Sequence, residues 1–306
     1  MVLRNIDYSY IRKNLRPFIR DKNFRFMSLH RMGAFDDMPD KEYLEKLWHA
    51  VMGYPLDLEH PVTFNEKIQW LKLYDRNPLY HTLVDKVAVK DWVADKIGEE
   101  YIIPTLGVWD DPDDIDFDTL PNQFVLKCNH NSGKGMCICK DKNQLDLDKV
   151  KSDLREGLKQ NYFLPYREWA YKDVKPRIIA EKYISSGDDL EDYKIFNANG
   201  MPYLIEVDFD RFIDHKRNLY STDWEFIEAE CNYRNDKNHI IDKPKCLKEM
   251  LDLAAKLSEG IPQVRTDFYV IDDIIMFGEL TFYHEAGFAS FNPKELDEKM
   301  GGRISI

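Results

Sequence analysis

The chain has 306 residues, 43% of them hydrophobic and 32% charged, enough for one large domain or two modest ones with a substantial core. A formal charge of -12 excludes broad phosphate-backbone binding, and so a nucleic-acid partner, as the main task. No apolar run approaches the roughly 18 residues of a membrane span, Arg and Lys interrupt the N-terminus where a signal peptide would be apolar, and five cysteines without a CxxC pair suit reduced thiols; together these predict a cytoplasmic protein.

Residues 1–33 are rich in Arg and Lys against only Asp7 and Asp21, and carry Tyr8, Ile11, Leu15 and Phe18. That pattern suits a helix packed on its own domain, with peripheral docking on an anionic membrane or glycan as a second reading. "DKEYLEKLWHAVMG" (residues 40–53) places Tyr43, Leu44, Leu47, Trp48 and Val51 on one helix face. "TFNEKIQWLKLY" opens with Thr63 and Glu66 at capping-box spacing. A further helix is expected over residues 85–97, ending at Gly98. Beyond it the period becomes two: "YIIPTLGVW", "NQFVLKCN", "GMCICK", "PRIIAEKYI", "DYKIFNANG" and "YLIEVDFD" read as strands between turns. Helices are expected near residues 148–160 and 245–259. The order predicts an α+β fold with mostly antiparallel strands and helices packed on one face.

"VRTDFYVIDDIIMFGELTF" (residues 264–282) reads as a hairpin, yet Arg265, Asp267 and Glu279 stand inside its apolar runs. Arg265, Asp267 and Tyr269 share one face of the first strand; Ile275, Phe277, Glu279 and Thr281 share one face of the second. A three-residue turn, Asp272-Asp273-Ile274, sets Asp267 opposite Glu279 and Arg265 opposite Thr281, whereas a two-residue turn sends Glu279 to the other face. Opposed side chains have Cβ atoms about 4.5–5.5 Å apart, so the carboxylates need a proton or a cation between them. Magnesium suits the pair, because it takes one or two carboxylates and completes its shell with water and phosphate. The competing reading is a surface hairpin with a wet polar face.

Phosphates would then need holding. Lys127 stands in an otherwise apolar strand, where a buried ammonium requires an anion. The following loop, containing Ser132, Gly133, Lys134 and Gly135, can turn backbone N–H groups toward phosphate oxygens. It is not a P-loop, since no Gly stands at the required earlier position, Gly135 replaces the Ser/Thr, and a strand follows it.

With these segments in this order, the chain resembles the ATP-grasp superfamily, and specifically its TupA-like branch of teichuronopeptide and surface-polysaccharide biosynthesis. The resemblance runs from "TFNEKIQWLKLYDRNPLYHTLVDKVAVKDWV" through "VRTDFYVIDDIIMFGELTFYHEAGF". It implies two α+β subdomains gripping ATP, over residues 81–185 and 186–306, behind a helical segment at 1–80. It implies phosphate contacts for Lys86 and Lys127, and an adenine site at Glu181 with the backbone of Lys182, Tyr183 and Ile184. It also implies a ribose carboxylate at Asp188, with Asp189 and Glu191 as rivals, and a γ-phosphate contact for Lys194. Arg265, Asp267 and Glu279 match the metal strands, but Thr281 stands where many members have Asn, so the second metal ligand departs from the pattern.

The implied chemistry is ADP-forming ligation of a carboxylate to an amine through an acylphosphate, using ATP and Mg²⁺, with Arg265 and Lys127 stabilising the transferring group. The expected acceptor is a uronic acid of a surface polysaccharide or its nucleotide-sugar precursor, and the nucleophile an amino acid or small amine. "DFDRFIDHKRN" concentrates Arg211, His215 and Arg217, suiting an acidic acceptor, or else a solvated charge run. Two other classes stand beside this one. "YLIEVDFD" ends in Asp208-x-Asp210, as in metal-dependent glycosyltransferases, and Thr281 would also fit a non-catalytic nucleotide binder.

Overall fold

The protein is described by a computed structural model over residues 7–184, 192–210 and 214–306. Short helices α1 (Tyr8–Lys13), α2 (Leu15–Arg20) and α3 (Lys22–Arg31) open the described chain. Leu15 and Ile19 stay exposed on α2, whereas Phe26 and Met27 of α3 pack against Tyr43, Leu44 and Leu47 of α4 (Asp40–Met52). Helix α4 ends at Gly53, whose φ of 83° supplies the left-handed cap. The capping box at Thr63 and Glu66 forms and starts α5 (Phe64–Tyr74). The helix expected over residues 85–97 begins four residues later, as α7 (Val89–Ile97), after a separate helix α6 (Leu79–Val84) and a turn at Asp85. The Asp85 carboxylate accepts from the N–H groups of Val87 and Ala88, from Asn129 and from Arg177, which holds the turn and delays the helix start.

Two antiparallel sheets follow. The smaller has β1 (Thr105–Trp109), β2 (Phe124–Cys128), β3 (Met136–Cys139) and β4 (Ile178–Lys182) in the order β1-β4-β2-β3, with α8 (Leu147–Leu158) laying Val150 and Leu154 on it. The larger is built from β5 (Asp192–Ala198), β6 (Met201–Phe209), β7 (Lys216–Tyr220), β8 (Phe226–Ile227), β10 (Gln263–Ile271) and β11 (Ile274–Thr281), ordered β11-β10-β5-β6-β7-β8. A small pair joins β9 (Glu230–Cys231) to β12 (Phe291–Asn292), and α10 (Glu295–Gly301) closes the chain. Helix α9 (Leu247–Leu257) buries Leu247, Met250, Leu253, Ala254 and Leu257 against the larger sheet. Each such side chain contributes about 1.5–3 kcal/mol when fully buried. Phe64, Ile68 and Leu71 of α5 belong to that same core. The α+β expectation holds. Among the described residues no helix is long and apolar enough to cross a membrane.

The hairpin reaches the expected pairing by a different route. Ile271 pairs with Ile274 across a two-residue turn in which Asp272 and Asp273 both have positive φ, 52° and 64°. Such a turn would send Glu279 to the wrong face, but a bulge corrects the register. Phe268 pairs with Phe277 and Asp267 with Glu279, leaving Gly278 as the extra residue. Ile275 and Phe277 therefore lie on the buried core side with Phe268, not beside Glu279 as the alternation suggests. A Cβ at Gly278 would stand 3.0 Å from the Asp267 carbonyl oxygen and 3.3 Å from the Tyr269 ring. Gly278→Ala is expected to destabilise the fold by about 1–3 kcal/mol, the usual cost of overpacking, read as a lower urea midpoint; an unchanged midpoint would mean that the bulge does not need a glycine.

Candidate active site

Between the two sheets lies a cavity of about 810 Å³ that draws side chains from both. The smaller sheet supplies Lys127 from β2, and the turn before α7 supplies Lys86. Lys86 Nζ donates to the Asn131 carbonyl at 2.8 Å and lies 3.7 Å from Glu279 Oε2. Burial lowers the Lys86 pKa, and Glu279 partly offsets this. Lys127 Nζ lies 2.5 Å from Glu181 Oε2, and Lys90 of α7 holds the other oxygen at 2.6 Å. Burial alone would raise Glu181, but these two ammonium groups outweigh it and hold the carboxyl below the ordinary range.

The loop after β2 is anchored from beneath. His130 meets the Gln160 carbonyl at 3.0 Å, and Asn131 Nδ2 donates to the Gly157 carbonyl at 3.1 Å. Gly135, with φ +68°, passes so close to α8 that an added Cβ would meet Cys128 Sγ at 2.7 Å and Gly157 Cα at 3.0 Å. Ser132, Gly133 and Lys134 line the cavity above this contact. Gly135 serves them as the close-packed foot of the loop. Cys128 raises its thiol pKa through burial and stays a packing residue.

Alternation on the larger sheet puts one charged row on the cavity side, Asp192 and Lys194 on β5, Asp208 on β6, Arg217 on β7, Arg265 and Asp267 on β10, with Glu206 of β6 buried on the same face behind them. Lys194 bonds Asp192 and lies 3.0 Å from Asp208. Arg217 Nε lies 2.7 Å from Asp208 and 3.0 Å from Glu206, and Nη1 donates to the Cys231 carbonyl. His215 Nε2 is 3.2 Å from Asp208 Oδ1. The basic stretch is therefore no solvated run at Arg217, which is 3% exposed.

At the centre stands Arg265. It donates to both Asp267 oxygens at 2.7 and 2.6 Å, to Thr281 Oγ1 at 3.2 Å and to His284 Nδ1 at 2.7 Å, and lies 3.8 Å from Glu279. Burial pushes Asp267 up to about 6 despite this guanidinium. Glu279 is drawn the other way: burial would raise it, but Lys86 and Arg265 win. Both carboxylates retain lone pairs, the Thr281 hydroxyl is 3.4 Å from Glu279 Oε1, and carboxylates outnumber cations along this row. Hard oxygen donors with excess negative charge fit Mg²⁺.

His284, Cys231 and Glu206 form a second trio whose potential ligand atoms lie within 4.8 Å of one another. The Arg265 contact argues against a metal there. Guanidinium nitrogens only donate, so Nδ1 must accept and the ring proton sits on Nε2. That proton points toward Cys231 Sγ at 3.3 Å and Glu206 at 3.8 Å, removing the lone pair a metal would need. Sequence reasoning passed over Lys90, Glu206 and His284; the only signal for His284 was a polar ring inside "TFYHEAGF".

Among the expected site residues, the cavity gathers Lys86, Lys127, Ser132, Gly133, Lys134, Lys194, His215, Arg217, Arg265, Asp267, Glu279 and Thr281. Glu181 joins them through Lys127. The Lys182 N–H donates to the Pro104 carbonyl, and Tyr183 and Ile184 follow at the end of β4. Asp188, with its rivals Asp189 and Glu191, and Arg211 lie outside the described residues.

Burial, with Arg265 and Arg217 beside it, holds His284 well below 6.5, so the folded state keeps it neutral while the unfolded chain protonates it. Its stabilisation is present above 6.5 and is lost as pH falls toward the folded-state value. His284→Gln retains an acceptor for Arg265 but cannot titrate. Urea melts at about pH 7.5 and about pH 5.5 should show wild type losing stability relative to this variant by up to about 1.4 kcal/mol per pH unit. Parallel pH dependences would contradict the neutral-histidine assignment.

The family described as TupA-like ATPgrasp matches residues 66–305. No curated protein matches the chain. Among solved structures, D-alanine–D-alanine ligase from Bacillus anthracis complexed with ATP is similar at 17% identity and TM-score 0.39, over 66% of this chain and 54% of that one. D-alanine–D-alanine ligase from Helicobacter pylori is similar at 14% identity and TM-score 0.43, over 79% and 69%. The ATP-grasp ligase PsnB, complexed with a precursor variant, Mg and ADP, is similar at 10% identity and TM-score 0.40, over 81% and 64%. The chain thus spans about half the length of the first of these. With a family match over most of its length, the chain belongs to the TupA-like ATP-grasp family.

Proposed function

We propose that the protein is an ATP-dependent, ADP-forming carboxylate–amine ligase. The observation that carries this is the convergence, in one cavity, of Lys86, Lys127, the glycine loop and Lys194 with Arg265, Asp267 and Glu279. The ammonium groups and the loop N–H groups match a triphosphate in charge and donor type. Glu181 keeps lone pairs for an adenine amino group beside its two lysine contacts, next to the Lys182–Tyr183–Ile184 backbone. Asp188 is proposed for the ribose. Asp267, Glu279 and Thr281 would hold Mg²⁺, which when bound neutralises phosphate charge.

In the reaction an acceptor carboxylate oxygen attacks the γ-phosphorus, the bond to the bridging oxygen breaks, and ADP leaves. An amine nitrogen then attacks the acylphosphate carbonyl carbon and phosphate departs, leaving an amide. Arg265 and Lys127 stabilise the charge that develops on the transferring group, and the buried partners of Arg265 fix its direction before reaction begins. The acceptor proposed is a uronic acid of a surface polysaccharide or nucleotide-sugar precursor, supported by the setting of the family branch and by His215 at the cavity. Arg217, paired with Glu206 and Asp208 and bonded to a carbonyl, acts on that site by holding its carboxylates. The basic first helices, with Leu15 and Ile19 outward, are proposed for peripheral contact with an anionic surface.

Incubation with ATP, Mg²⁺, mixed uronic acids and mixed amines, followed by mass spectrometry, should yield ADP and a mass equal to acid plus amine minus water. AMP as product would overturn the mechanism, and turnover without any uronic acid consumed would overturn the acceptor alone. Arg265→Ala should lower kcat by about 10²–10³-fold, the usual loss for one preorganised donor.

A further inference from the structure

The cavity extends beyond the phosphate-side cluster into a chamber walled by rings. Tyr162, Tyr166 and Tyr171 come from the segment between α8 and β4, and Tyr283 and Phe288 from the segment after β11. Two carboxylates line it, Glu168 and Glu285. Glu168 is 6% exposed and lines the cavity, with Lys72 near enough to act on its charge but, among the described residues, no hydrogen bond or ion pair to its carboxylate. A buried, unpartnered carboxylate is costly unless something else satisfies it.

Glu285 reaches the chamber on a backbone the chain would not adopt unaided. Glu285, Ala286 and Gly287 have φ of 49°, 52° and 68°, three left-handed residues in succession. Each non-glycine residue there costs about 1–2 kcal/mol, and such strain persists only where the surroundings enforce it. Helix α5 enforces it from behind. Lys72 Nζ donates to the Ala286 carbonyl at 2.6 Å, Gln69 Nε2 donates to the Gly287 carbonyl at 2.8 Å, and Gly287 sits so close that a Cβ would strike Gln69 at 2.5 Å. A buried lysine and glutamine are thus spent on presenting Glu285. Its carboxylate is 3.6 Å from Arg217 Nη1, which leaves it oriented and 34% exposed.

Building on the ligase reading above, we propose that Glu168 and Glu285 receive the ammonium group of the amine substrate inside the ring-walled chamber, with Glu168 as its proton acceptor. Carboxylates in a chamber lined by aromatic rings suit a cation better than a neutral hydroxyl, because aromatic rings also attract positive charge. Burial pushes Glu168 up to about 7 against the pull of Lys72, and the Glu285 charge adds to the rise; this is the range in which a carboxylate takes a proton efficiently at neutral pH. The ammonium gives one proton to Glu168, and the freed nitrogen lone pair forms the C–N bond at the acylphosphate carbonyl. The C–O bond to phosphate breaks with its electron pair on phosphate, which takes the second nitrogen proton.

The test is binding of n-propylammonium, with 1-propanol and glucose as neutral probes, to the full chain by saturation-transfer NMR in the presence of Mg²⁺ and a non-hydrolysable ATP analogue. Wild type should bind the cation and neither neutral probe. Glu168→Gln and Glu285→Gln should weaken cation binding about tenfold or more while still binding the nucleotide analogue, which shows that each variant is folded. Cation binding unchanged in Glu168→Gln, absent in wild type, or matched by either neutral probe would overturn the proposal. Loss of nucleotide binding by wild type would instead overturn the ligase reading, leaving the cation result to stand separately.

Discussion

A guanidinium buried in a β-sheet governs this structure. Arg265 is 7% exposed and Asp267, two residues along the same strand face, 3%. Removing such a pair from water costs several kcal/mol per ion, and their attraction repays it only when every remaining group is satisfied. The sheet supplies that satisfaction by converging side chains from strands far apart in sequence. Thr281 accepts from one side, the neutral His284 ring from another, and Lys194 stands across from Asp267 on β5. Apolar residues in place of the whole charged cluster would serve the fold at least as well, whereas loss of Arg265 alone would strand Asp267 as a buried, uncompensated charge. The charged row is therefore better understood as a pre-aligned electrostatic surface than as a source of stability.

That arrangement also explains why the hairpin contains a bulge. With a two-residue turn and no correction, Glu279 would enter the hydrophobic core and Phe277 would face the cavity. Gly278 absorbs one residue and exchanges the two faces midway along β11: Ile275 and Phe277 serve the core, Glu279 and Thr281 serve the site. The pairing of Asp267 with Glu279 was legible in the sequence through their spacing and charge. The two-residue turn escapes the sequence pattern because Asp272-Asp273 lacks the glycine that usually marks two positive φ angles. The compensating signal was Gly278 itself, a glycine inside an otherwise regular strand.

Local signals located most elements: the Thr63–Glu66 box, the Gly53 cap and the alternation in "FVLKC" and "IIAEK" all have structural counterparts. What stayed hidden were partners chosen by tertiary geometry. Arg217 looks like part of a solvated run because its acceptors, Glu206 and Asp208, lie on the neighbouring strand and carry no mark of the pairing. The turn at Asp85 is only partly local: its carboxylate accepts from the Val87 and Ala88 N–H groups, but Asn129 and Arg177, both remote in sequence, fix it there.

Polar residues buried in α5 complete the same logic. Asn65, Gln69 and Lys72 occupy a helix face that periodicity would assign to apolar packing, and all are at most 1% exposed. Each reaches backbone after β11: Asn65 bonds Ala289 through both its amide groups, and Gln69 and Lys72 hold the carbonyls of the left-handed turn. Lys72, pushed down to about 7 by burial, would be a poor choice for stability alone. Its geometry makes sense as a brace. The segment from His284 to Phe288 must at once accept from Arg265, aim Glu285 into the chamber and place the Phe288 ring in its wall. No strand or helix geometry presents His284, Glu285 and Phe288 in that way, so the fold uses an otherwise unfavourable turn and fixes it from behind with donors that cannot slide.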